Sequence, residues 1–104
     1  AMALGRCVIA TDWSATAEFM DSTCVLPVDY NLIPAHDPRG VLDMPQTCWA
    51  LPDRQAAVQA LRLAADHPDL RARLGTAAQE RVAKHLDGTS LLKAIHAAGV
   101  EAWR

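Results

Sequence analysis

Apolar and polar positions alternate between two regimes along this chain. Near the start, Cys7-Val8-Ile9-Ala10 is an unbroken apolar run that stops at Thr11 and Asp12. Such a run, with β-branched members, predicts a strand buried on both faces, as in a parallel sheet. Ser14 follows as a predicted cap for a short helix to about Met20. Ahead of the strand, Ala1-Met2-Ala3-Leu4-Gly5 reads as a last helical turn closed by glycine. Cys24-Val25-Leu26-Pro27-Val28 reads as a second short strand that either lies at an edge or ends at Pro27, which cannot donate to a ladder. Residues 29–46 are predicted to form a long connection, and 47–50 a brief extended segment.

From Asp53 the period changes to that of helices. Asp53 is a predicted N-cap, with Val58, Leu61 and Ala65 on one inward face. Pro68 suits the first turn of the next helix, and Leu70, Leu74, Ala77, Ala78 and Val82 form its apolar stripe toward Leu86. Arg71, Arg73, Glu80 and Lys84 oppose that stripe. Asp87-Gly88-Thr89 breaks it, and Ser90 is the predicted cap of a last helix whose Leu91, Leu92, Ile95 and Ala98 face inward. The string β-α-β, long loop, three helices predicts an α/β fold organised by a short parallel sheet.

With 104 residues, the chain has room for one domain or part of one. Apolar residues reach 51% but aromatics only 5%, so the core must be aliphatic and alanine-rich. The net charge of −2 gives no basis for a nucleic-acid partner. Residues 1–52 hold six acids against Arg6 and Arg39, whereas six acids in the second half meet eight bases. That basic excess reads as a solvated helix face. Cys7, Cys24 and Cys48 have no metal or disulfide spacing and read as small buried or half-buried apolar groups in a reducing compartment. His36, His67, His85 and His96 lack ligand spacing, so no metal is expected. No stretch is long enough to cross a bilayer and no leader opens the chain, which predicts a cytoplasmic protein.

The run Gly5-x-Cys7-Val8-Ile9-Ala10-Thr11-Asp12-Trp13-Ser14-Ala15-x-x-Glu18-Phe19-Met20 resembles the carboxyl-terminal domain of the group 1 glycosyltransferases of GT-B architecture. Val28-x-Tyr30-x-Leu32, Trp49-Ala50-Leu51-Pro52-Asp53 and His67-Pro68-Asp69-Leu70-Arg71-x-x-Leu74-Gly75 are similar to later motifs of the same family. The resemblance implies that residues 1–104 are part of a Rossmann-like donor domain, with the acceptor domain elsewhere in a longer parent. It implies retaining transfer of a sugar from a nucleotide diphosphate sugar to a glycan or small-molecule acceptor, without a bound cofactor. By the resemblance, the second of the family's paired glutamates would immediately precede Ala1, and the first glutamate and the basic residues that meet the diphosphate would lie upstream. On that basis no residue here is assigned a catalytic role, and the isolated chain is expected to be inactive. Cys7, Ala15 and Leu51 depart from the family's proline, glycine and glutamate.

Thr11, Asp12, Trp13, Ser14, Ala15 and Glu18 are the candidate substrate-binding residues, because open α/β sheets bind ligands beyond the carboxyl ends of their strands. Asp12 and Glu18 suit sugar hydroxyls, or bonds that hold the turn, better than phosphate. Trp13 suits either a wall beside a sugar or simple packing, and Tyr30 and Trp49 read as packing anchors for the loop. The alternative function is a stand-alone, non-catalytic α/β remnant or a module that docks on a partner, and the open apolar sheet predicts self-association.

Overall fold

The computed structural model describes residues 1–41 and 44–99. These residues form a mixed α/β structure with two separate two-stranded sheets. Met2–Leu4 is a single 3-10 turn, closed by Gly5 in the left-handed region (φ 64°), as the opening residues predict. Strand β1 (Ile9–Thr11) pairs parallel with β2 (Leu26–Val28), Ile9 lying opposite Leu26 and Thr11 opposite Val28. Between them Ser14–Glu18 is a 3-10 turn rather than the expected helix. The expected run of about six residues is too short to repay the nucleation of an α-helix.

Alternation across β1 divides the core in two. Val8 and Ala10 pack toward Met2, Met20, Cys24, Val25, Ala78 and Val82. Cys7 and Ile9 pack toward Leu26, Val28, Ala60 and Leu74. Apolar clusters therefore meet both faces of β1, yet its three residues are only half-buried, because no further strand flanks it among the described residues. Pro27 stands opposite Ala10, and the residues on either side of it supply the groups that face β1. Its missing N–H is thus on the outer edge of β2, one of the two placements that the sequence allows.

The predicted long connection contains a strand. β3 (Tyr30–Pro34) pairs antiparallel with β4 (Cys48–Pro52), from Tyr30–Pro52 at the base to Pro34–Cys48. The strand escapes a local reading because its partner lies more than a dozen residues downstream. Neither strand of this ribbon contributes a buried residue, and Trp49 is exposed rather than an anchor. Cys48 is exposed too, whereas Cys24 is buried and Cys7 half-buried.

Helix α1 (Arg54–Asp66) begins at Asp53, whose carboxylate accepts the Ala56 N–H at 2.7 Å, as predicted. Its inward face differs from the expected one. Ala56, Ala57, Ala60 and Ala64 meet the core, while Val58, Leu61 and Ala65 face outward, Leu61 being 60% exposed. Small side chains win that face because they let the helix lie close on the parallel pair. In α2 (Pro68–His85) the predicted stripe does face inward through Leu74, Ala78 and Val82, although Leu86 is exposed. Gly75 sits on the same face, where a Cβ would stand 2.1 Å from the Gly5 carbonyl oxygen. Helix α3 (Thr89–Ala97) is capped by Gly88 rather than Ser90, and its first amide, from Thr89, is taken by the Asp87 carboxylate at 2.8 Å. Leu91 and Leu92 are exposed, not inward, and α3 has no buried residue.

The result is a slab of about 51 × 43 × 18 Å with a radius of gyration of 17.8 Å. A chain of this length packed as a sphere would have about 13 Å. No helix among the described residues is long and apolar enough to cross a membrane.

Candidate functional site

The candidate residues gather where β1 ends. The ladder continues one step past the strand, with the Asp12 N–H donating to the Val28 carbonyl at 3.3 Å. The backbone then folds sharply as the Trp13 N–H donates to the Thr11 carbonyl at 2.9 Å. The Thr16 hydroxyl lies 3.1 Å from the Thr11 carbonyl and 2.9 Å from that of Trp13, sharing its proton across the two. Thr16 is thus the residue that fixes the turn, and the sequence reading missed it. Its signal is a threonine set three residues beyond the first turn residue, a spacing at which a hydroxyl bonds back to the main chain.

Ser14 does not cap. The N-cap position falls to Trp13, with no side-chain bond, and Ser14 instead occupies φ 62°. The left-handed residue of this turn is therefore Ser14 and not Ala15, the position where the family resemblance placed the missing glycine. A Cβ at such a φ costs about 1 kcal/mol or more. Because the segment is only five residues of 3-10 helix, it gathers little of the dipole that draws phosphate to longer helices.

Asp12, Ser14, Ala15 and Glu18 are exposed, and Thr11 and Trp13 are half-buried. All six thus border one turn on one end of the parallel pair. Neither Asp12 nor Glu18 has an ion-pair partner among the described residues. Trp13 meets Tyr30 with ring centroids 6.4 Å apart at 55°, tying the turn to the base of the ribbon. Beyond the turn, Met20 is buried and Phe19 stacks on His85 at 5.1 Å. The arrangement presents two carboxylates to solvent beside a half-buried indole. It suits acceptance of hydrogen bonds from hydroxyls and opposes an anion.

Cys7, Arg71 and Asp37 lie outside this turn, each in a setting of its own. Burial pushes the Cys7 thiol above its usual range against the opposing effect of Arg71, which disfavours the thiolate. Arg71 itself donates to the Ala64 and Ala65 carbonyls and so closes the end of α1. It borders a cleft of about 380 Å³ together with Gly5, Arg6, Cys7, Pro68 and Ala72. Asp37, a buried acid in the ribbon loop, accepts the N–H groups of Arg39 and Val41 at 3.0 and 3.2 Å and pairs with the Arg39 guanidinium. No three His, Cys, Asp or Glu side chains among the described residues come together as a metal site.

No known protein family, curated protein or solved structure matches the chain.

Proposed function

We propose that this chain is the carboxyl-terminal part of a glycosyltransferase donor domain of GT-B type, in a parent that moves a sugar from a nucleotide diphosphate sugar to a glycan or small-molecule acceptor. The observation that carries the reading is the turn after β1. The segment that resembles the family's ligand turn lies at the carboxyl end of a parallel strand, with Ser14 at positive φ and two exposed carboxylates beside it. Asp12 and Glu18 would accept hydrogen bonds from sugar hydroxyls, and Trp13 would wall the cleft toward the acceptor side. The diphosphate needs positive charge, and between Arg6 and Arg39 the sequence has none. On this reading the residues that meet the diphosphate lie upstream of Ala1.

Two measurements test it. The coding DNA ahead of residue 1 should encode, in frame, an acceptor domain and two glutamates spaced as in the family, and a frame without them defeats the reading. Calorimetry of residues 1–104 with uridine, guanosine and adenosine diphosphate sugars should show no binding. Micromolar affinity would overturn the assignment of the donor contacts to upstream residues.

A second reading, a non-catalytic docking module, draws support from the outward leucines of the ribbon and α3. It predicts that the upstream frame encodes no acceptor domain.

A further inference from the structure

We draw no further inference here: the strongest candidate, the apolar surface of the β3–β4 ribbon formed by exposed Leu32, Trp49 and Leu51, carries nothing because nothing in the structure shows what covers it.

Discussion

The parallel pair and the antiparallel ribbon are built from similar apolar residues and meet opposite fates. Leu26 and Val28 are buried, whereas Leu32 and Leu51 in the ribbon are more than half exposed. The difference is what covers them. α1 and α2 lie against β1 and β2 and bring Ala60, Leu74, Ala78 and Val82 to their two faces. The ribbon is held mainly by its own cross-strand ladder, by the Asp53–Asp29 bond at its base and by the Trp13–Tyr30 contact. A two-stranded ribbon alone is marginal in water, so its order depends on the packed region to which it is anchored.

Truncation should expose that contrast most strongly. Leu74→Ala removes a side chain only 3% exposed and should cost about 2–5 kcal/mol in urea unfolding. Leu51→Ala, in a residue 53% exposed, should stay within about 0.5 kcal/mol. Equal costs would mean that the ribbon is buried in solution, and the contrast would fail.

Gly75→Ala asks whether the packed region depends on close approach as well as on apolar area. Its added methyl meets the Gly5 carbonyl rather than a flexible side chain, so α2 must move away from the opening turn. About 1–3 kcal/mol should be lost, read by thermal or urea denaturation. A neutral result would show that the Gly5–Gly75 contact is loose.

Ser14→Gly tests the turn that joins the two regions. Relief of the left-handed conformation should outweigh the added entropy of the unfolded chain and raise stability by up to about 1 kcal/mol. Ala15→Gly has no such strain to relieve and should be destabilising. In a longer active protein, a change in kcat/KM with Ser14→Gly but not with Ala15→Gly would assign the ligand contact to residue 14.

The smallest effect belongs to Asp21, whose carboxylate accepts from the Thr23 hydroxyl and N–H and pairs with Arg81 at 2.9 Å. These bonds, the Thr23 hydroxyl first, hold its pKa below the usual value of 3.8. The stabilisation is therefore fully present above the unfolded carboxylate range and is lost as pH falls toward and through the lower folded value. Thermal melts of Asp21→Asn and the unaltered chain should differ near neutrality and converge in acid. A difference that persists in acid would show that the ionised carboxylate is not what ties this turn to α2.

Much of this organisation was legible locally. The apolar run before Thr11, the limit that Pro27 sets on its strand, the Asp53 cap and the inward stripe of α2 each depend on residues within a few positions of one another. Short-range sterics and hydrogen bonds suffice to decide them. The candidate turn was legible as a place, because a buried strand ending in polar residues marks it, but not in its detail. Which residue takes the left-handed conformation depended on Thr16 bonding back to Thr11 and Trp13.

Tertiary structure alone decided the rest. β3 needed β4 to become a strand. Which face of α1 turns inward was settled by how closely the helix lies on the parallel pair, which favours alanine over the larger Val58 and Leu61. The leucines of α3 have the period of an inward face, but period marks only a side of the helix. Burial requires another element against that side, and the described fold supplies too little to bury any residue of α3.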